Sequence, residues 1–369
     1  MEGKQIDEDA MRDQRIADAL SVWFRSVARD LPWRKTKDPY LIWVSEVMLQ
    51  QTRVETVIPY YNRFIERFPT VEALAQAPDE EALKYWEGLG YYRRLRHLVS
   101  ATRELQEHYG NHVPRDAKTF ASLPGVGEYT LGAVMSIAYG QALPAVDGNV
   151  MRVLSRVDGF QEDLATAQAR NYMKERAQTL VHLADPGEFN QALMELGATL
   201  CLPKNPQCDA CPIAVECAGL REGIHLKLPI KRPKGAIPTR EFVALAIRQG
   251  GRLAIEKRPA IGLLANLWQL PLVEHAYEQV AVQDAWIQDA LSARGVKKPL
   301  ELRDRGVYEH VFSHQKWRAR LIEVHISSDE CVTSCRMMSS EDRAPLPFAR
   351  LFVRMLHDLE ENSFELTFD

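Results

Sequence analysis

The stretch "PYLIWVSEVMLQQTRVET" sets one carboxylate, Glu46, among apolar neighbours at helical spacing: Ile42 and Trp43 on one side, Leu49 and Gln50 on the other. A carboxyl group held there resists ionisation, so its pKa rises, and a raised carboxyl suits a general acid near neutral pH. The same spacing also fits a glutamate at a helix margin bonded to a buried partner. A second carboxylate, Asp147 in "PAVDGNVMRVLSRV", stands just ahead of a helix, where an aspartate commonly caps the first turn. If the two meet, one protonated and one ionised carboxyl can divide the roles of acid and anion.

Four of the six cysteines, Cys201, Cys208, Cys211 and Cys217, are spaced C-x6-C-x2-C-x5-C. Four thiolates this close can surround one tetrahedral ion or one iron–sulfur cluster, and in a reducing compartment the clustering argues for metal over disulfides. A zinc ribbon usually brings two C-x2-C knuckles, and here only Cys208 and Cys211 make one. Cys331 and Cys335 lie apart and read as ordinary reduced thiols.

"LPGVGEYTLGAV", residues 123–134, reads as a tight turn that opens a helix. Gly125 and Gly127 permit positive φ and leave no side chain to obstruct a close backbone approach. Backbone N–H groups and the helix N-terminus would then face a phosphate, a contact that carries no base specificity. Nearer the N-terminus, Thr52 and Glu55 form a capping-box pattern for the helix after the one that carries Glu46. Gln50 and Gln51 therefore fall at an interhelical break, where a polar side chain can fill the gap left by an extruded base.

The elements that must position these groups fall into two textures. Residues 1–225 repeat apolar positions every three or four residues, punctuated by Pro69, Pro78, Gly110, Pro114 and Pro144, and read as helical. Residues 226–240 interleave prolines with lysines and arginines and read as a stiff linker. From 241 to 369 the pattern changes. "EFVALAIRQGGRLAIEKR" reads as two strands around a turn, and "WRARLIEVHI" alternates, with Ile322, Val324 and Ile326 on one face. The length of 369 residues allows two or three domains, and a net charge of -4 neither announces nor excludes a nucleic-acid binder, because local patches decide. No window approaches a membrane span, and the polar N-terminus lacks a signal-peptide core, so a cytoplasmic, nucleoid-associated protein is expected.

Together these motifs resemble the MutY-type adenine DNA glycosylases of the endonuclease III, or helix-hairpin-helix, superfamily. The likeness rests on "VSEVMLQQT", "LPGVG", "VDGNV" and the cysteine loop, and runs through residues 20–217. It implies an all-α helix-hairpin-helix glycosylase domain over 1–225, with a hairpin subdomain at about 30–138 and a cluster subdomain from 1–29 and 139–225. The cysteines would hold a [4Fe–4S] cluster. In that family the glutamate matching Glu46 protonates adenine, and the aspartate matching Asp147 stabilises or attacks the positive charge on the sugar, with Asn149 orienting one of the carboxyls. The residue matching Gln51 intrudes into the duplex and that matching Arg34 lies at the adenine pocket; Leu49, Thr52, Tyr91, Gly125 and Gly127 join the DNA-contacting set. Where lyase members carry a lysine nucleophile, this chain has Tyr129, which has no amine. The resemblance thus implies base removal without an efficient coupled nick. Tyr129 is expected to bond Asp147 or pack against the sugar.

Residues 241–369, with "LLANLWQLPLVE", resemble a Nudix (MutT-like) α+β fold. The region "QDAWIQDALSARGV" lacks the paired glutamates that bind Mg²⁺ in those hydrolases, so a phosphohydrolase reading fails on its ligands. A recognition module remains. "EHVFSHQKW" resembles the loop that recognises 8-oxoguanine, with Phe312, Ser313 and His314 at the matching positions. The expected substrate is double-stranded DNA with adenine opposite 8-oxoguanine or guanine, acted on by a monomer. The rivals are an endonuclease III-type enzyme acting on oxidised pyrimidines and a non-catalytic DNA-binding protein of the same fold.

Overall fold

A computed structural model describes residues 2–230, 235–275 and 285–361. Residues 231–234 of the expected linker, and 276–284 and 362–369 of the expected second domain, lie outside the described residues. The chain divides into two compact units, one of residues 1–76 and 93–234, the other of 77–92 and 235–369.

The first unit is helical: α1 (Glu2–Val27), α2 (Pro39–Leu49), α3 (Val54–Arg67), α4 (Val71–Gln76), and, after the segment that belongs to the second unit, α6 (Arg93–His108), α7 (Ala117–Ser122), α8 (Glu128–Tyr139), α9 (Gly148–Val157), α10 (Ala167–Val181), α11 (Pro186–Thr199) and α12 (Ala218–Arg221). Local chemistry sets several starts. Asp38 and Asp185 cap α2 and α11 through their carboxylates, each followed by a proline at the first helical position, where the missing N–H costs nothing. Helix α2 is buried at Tyr40 and from Ile42 through Met48, which explains why it is apolar on nearly every face. Trp43 packs edge-on against Phe120 of α7, ring centroids 5.1 Å apart. A separate core joins Ile16, Leu20 and Phe24 of α1 to Val150, Val153 and Leu154 of α9, Met173 and Leu180 of α10, and Phe189, Leu193 and Leu196 of α11.

One local expectation is corrected. Helix α3 begins at Val54 with Arg53 at its N-cap and no side-chain cap, so the capping box of Thr52 and Glu55 does not form. The Thr52 hydroxyl is instead taken up by Arg94 Nη2 at 3.3 Å, and a charged donor outcompetes a neutral backbone N–H. At the hairpin, Gly125 has φ 79°, but Gly127 is extended, at φ -92° and ψ 175°, because it serves as the N-cap of α8.

The second unit holds α5 (Asp79–Tyr85), β1 (Thr239–Gln249), β2 (Arg252–Lys257), β3 (Trp268–Gln269), β4 (Leu272–Glu274), α13 (Ala285–Ser292), β5 (Glu301–Val311), β6 (Lys316–His325), β7 (Arg336–Met338), α14 (Ser340–Arg343) and α15 (Arg350–Glu361). The sheet order is β3-β2-β1-β6-β5, with β4 paired to β1 and β7 to β2. Strands β1 and β6 run parallel, and β5 and β6 form a hairpin whose register shifts between Asp304 and Val307. Val243, Leu245, Ile247, Ile322, Val324 and Ile326 form one apolar face, covered by Ile287 and Leu291 of α13.

Candidate active site

Within the first unit, α2, α8, α9 and α11 enclose a cavity lined by Arg34, Glu46, Leu49, Thr52, Tyr129, Asp147 and Asn149, together with Arg29, Trp33, Met194 and Glu195. Seven residues singled out in the sequence therefore converge, although they span more than a hundred positions of chain. Gln51 is exposed at the break after α2, Gly125 and Gly127 lie in the hairpin, and none of these three lines the cavity. Tyr91, exposed and at φ 49°, belongs to the second unit. So do Phe312, Ser313 and His314, at the turn between β5 and β6.

Glu46 is 4% exposed. Burial pushes its carboxyl up to about 7; the nearby Asp147 adds to the rise, while a hydrogen bond from Tyr129 and the charge of Arg34 oppose it. The Tyr129 hydroxyl donates to Glu46 Oε2, not to Asp147 as expected, because α8 packs on α2 and brings the ring end to Glu46. Burial and the two neighbouring carboxyls hold the Tyr129 phenol well above its ordinary range, so it stays a donor. Both readings of the glutamate therefore hold: it has a buried partner, and its acidity is tuned.

Asp147 is the N-cap of α9: Oδ1 accepts from Val150 N at 2.7 Å and Oδ2 from Asn149 Nδ2 at 2.9 Å. Burial raises its carboxyl, and these bonds oppose the rise by favouring the anion. Arg152 fixes which way Asn149 points. Its Nη2 donates to Asn149 Oδ1 at 2.8 Å, and a guanidinium can only donate, so the amide NH₂ must face Asp147. Arg152 also bonds Gly197 O and Cys201 O, each at 2.8 Å, and so ties α9 to the start of the cysteine loop.

Sequence reasoning missed Arg29 and Glu195. Glu195 is 2% exposed and accepts from Arg29 Nε at 2.6 Å and Nη2 at 2.7 Å, and from Arg34 Nη2 at 2.8 Å. Burial alone would raise its carboxyl, but the two guanidinium groups outweigh burial and bring it down to about 2. The pair of arginines is thus held by one permanent anion, which fixes Arg34 at the cavity wall. The signal was present in "NQALMELGATLC", where Glu195 interrupts the buried face of α11.

Cys201, Cys208, Cys211 and Cys217 line a second cavity with Val153, Leu196, Leu200, Ile213 and Leu220. Burial, reinforced by the neighbouring sulfurs, pushes the Cys211 thiol up to about 11 and raises Cys208 and Cys217, with the charge of Arg156 opposing the rise at Cys208. Arg156, 2% exposed, donates from Nη1 to Cys201 Sγ at 3.3 Å. The donor set and its apolar shell fit a thiolate-bound metal group. Among the described residues, the side chains of His357, Asp358 and Glu361 also bring their ligand atoms within 4.8 Å of one another.

Residues 44–179 match the family of HhH-GPD superfamily base excision DNA repair proteins, and residues 242–358 match the NUDIX domain. The adenine DNA glycosylase of Homo sapiens is 36% identical over 370 residues, covering 86% of this chain and 68% of its own. That of Schizosaccharomyces pombe is 32% identical over 388 residues, covering 87% and 84%. A solved structure of a thermostable thymine-DNA glycosylase is 30% identical, with a TM-score of 0.52 over 57% of this chain and 98% of its own. No helix among the described residues is long and apolar enough to cross a membrane.

Proposed function

This chain belongs to the adenine DNA glycosylases of base excision repair, and from that membership we propose that it removes adenine paired with 8-oxoguanine or guanine and leaves the sugar–phosphate backbone uncut. The observation that carries the chemistry is the pairing of Glu46 with Asp147 in one cavity, the first near half-protonation at neutral pH, the second raised by burial yet given hydrogen bonds from Val150 N and Asn149 that favour its anion. Tyr129 occupies Glu46 Oε2, so the transferable proton resides on Oε1. A ring nitrogen of an extruded adenine takes that proton. As the N-glycosidic bond lengthens, positive charge grows on the deoxyribose, and the Asp147 carboxylate lies ready to stabilise it. Water completes the exchange, leaving free adenine and an abasic sugar.

Tyr129 carries no amine, which supports a monofunctional enzyme, because strand cleavage by the lyase route needs an amine to form a Schiff base. Arg34, Leu49 and Thr52 line the pocket that receives the base, and Gln51 enters the space it leaves. The hairpin of Gly125 and Gly127 grips a phosphate, Tyr91 contacts the duplex, and Phe312, Ser313 and His314 read the base opposite adenine. Cys201, Cys208, Cys211 and Cys217 would hold a [4Fe–4S] cluster. A zinc ribbon usually brings two C-x2-C knuckles, and the single one here, Cys208 and Cys211, supports an iron–sulfur group over zinc. When bound, the cluster braces the 201–217 loop.

The test is base release from duplexes carrying adenine opposite 8-oxoguanine, adenine opposite guanine, or thymine glycol. The first two should release adenine without a nick, and Glu46→Gln should slow release on the order of 100-fold or more. Cleavage of the thymine glycol duplex alone overturns the assignment. Iron and acid-labile sulfide should appear in equal amounts, and zinc without sulfide overturns the cluster.

A further inference from the structure

Helix α2 ends at Leu49. Gln50 leaves it at φ -57° and ψ 113°, and Gln51 sits in the left-handed region at φ 60°. Carbonyls at the end of a helix lack intrahelical partners, and backbone N–H groups just beyond the end often satisfy them. Here one side chain does much of that work. Arg94, the second residue of α6, donates from Nη1 to Val47 O at 2.7 Å and Met48 O at 2.9 Å, and also to Gln50 O. Its Nη2 reaches Thr52 Oγ1 at 3.3 Å. The cation also sits where the helix dipole favours positive charge. From the other side, Gln50 Nε2 donates to Thr130 Oγ1 at 3.2 Å, next to Tyr129 on α8. Both neighbours of Gln51 are therefore tied down, while Gln51 itself stays exposed in a backbone conformation that residues other than glycine rarely adopt.

We propose that Arg94 is a positioning residue for base extrusion: its guanidinium fixes the break between α2 and α3 so that Gln51 meets the duplex already in its inserting conformation. The proposal rests on the reading of Gln51 as the residue that enters the duplex. It assigns Arg94 no contact with the base and no share in proton transfer. A lysine substitutes only in part, because Arg94 reaches the three carbonyls from Nη1 and the Thr52 hydroxyl from Nη2 at once, whereas a lysine offers a single ammonium on a flexible stem.

The test places Arg94→Ala and Arg94→Lys in the full-length wild type and in a Gln51→Ala background. Fluorescence of 2-aminopurine opposite guanine reads extrusion, and single-turnover adenine release across pH reads the chemistry. In the wild-type background, Arg94→Ala should lower both the extruded fraction and the release rate about tenfold, and Arg94→Lys by an intermediate factor. The pH midpoint of release should not move. In the Gln51→Ala background, either Arg94 change should add less than about a twofold loss. Equal losses in both backgrounds, a shifted pH midpoint, or no loss overturns the proposal. Should Arg94→Ala melt below the assay temperature, the Arg94→Lys pair decides by the same comparison. Extrusion is read without bond cleavage, so a protein that extrudes through Arg94 and Gln51 yet releases no adenine would sink the assigned chemistry and leave this proposal standing.

Discussion

At the scale of single residues, the decisive quantity is the acidity of Glu46. A carboxyl held at about 7 supplies its proton below that pH and loses it above, so single-turnover release should fall as pH rises through about 7. The bond from Tyr129 lowers that value, so Tyr129→Phe should move the alkaline limb to higher pH, a shift that a pH–rate profile reads directly. The same perturbation carries a stability signature. Unfolded, the carboxyl titrates near 4.5; folded, near 7. Between those values the native state binds more protons, so stability falls as pH rises across the window, by about 3 kcal/mol once both are passed. Glu46→Gln keeps an acceptor for Tyr129 and removes the titration. Its melting temperature should match wild type near about pH 4 and exceed it near about pH 8, and parallel curves at all pH would refute the burial argument. Helical spacing announced Glu46 because a carboxylate among Ile42, Trp43 and Leu49 breaks a local pattern. The partner of Tyr129 was not legible, because the pairing of α8 with α2 is a tertiary fact.

At the scale of elements, the hairpin shows why two glycines of one motif are not equivalent. Gly125 needs its lack of a side chain twice over: its φ is 79°, and an added Cβ would stand 2.5 Å from the Cβ of His97, an atom close to the backbone of α6 that cannot swing away. Gly127 is extended, and an added Cβ would meet nothing within 4 Å. Gly125→Ala should therefore destabilise the protein by about 1–2 kcal/mol or more and weaken duplex binding through a displaced turn. Gly127→Ala should cost under about 1 kcal/mol. Thermal melts and duplex titrations of the two variants check this, and equal costs would count against it. The motif "LPGVG" named the turn correctly, but it could not say which glycine turns and which caps. The capping-box pattern of Thr52 and Glu55 failed for a related reason: Arg94, forty-two residues away, claims Thr52. Local patterns hold until a charged group from another element competes for the same atom.

At the scale of the whole molecule, chain order and compact units disagree at residues 77–92. In sequence this segment sits inside the helical stretch, and Ala82, Leu83, Trp86 and Leu89 look like ordinary helical core; in the fold it belongs with the sheet. Its attachments are specific. Glu80 Oε1 takes Lys257 Nζ at 2.6 Å and Trp268 Nε1 at 3.1 Å, Glu87 Oε1 takes Phe348 N at 2.7 Å, and Lys84 Nζ donates to Leu346 O at 3.1 Å. The ion pair with Lys257, more than the contact with Trp268, holds the Glu80 carboxyl below its ordinary range. No propensity or periodicity marks such an exchange, because the partners lie more than 170 positions away and each residue looks locally conventional. Each end of the segment is continuous with the glycosylase unit, so it is a covalent link between the unit that removes adenine and the unit that carries Phe312, Ser313 and His314. If 77–92 is a cooperative part of the second unit, loosening one anchor should loosen the whole of it. Glu80→Ala removes a half-exposed ion pair worth about 1 kcal/mol or less, so exchange should quicken about fivefold at most. Native-state hydrogen exchange should show that gain in 77–92 and in β2 and β3 alike, with α2, α8 and α9 unchanged. Quickening confined to 77–92 would mean that the segment frays on its own, and its grouping with the sheet would then reflect proximity without shared stability.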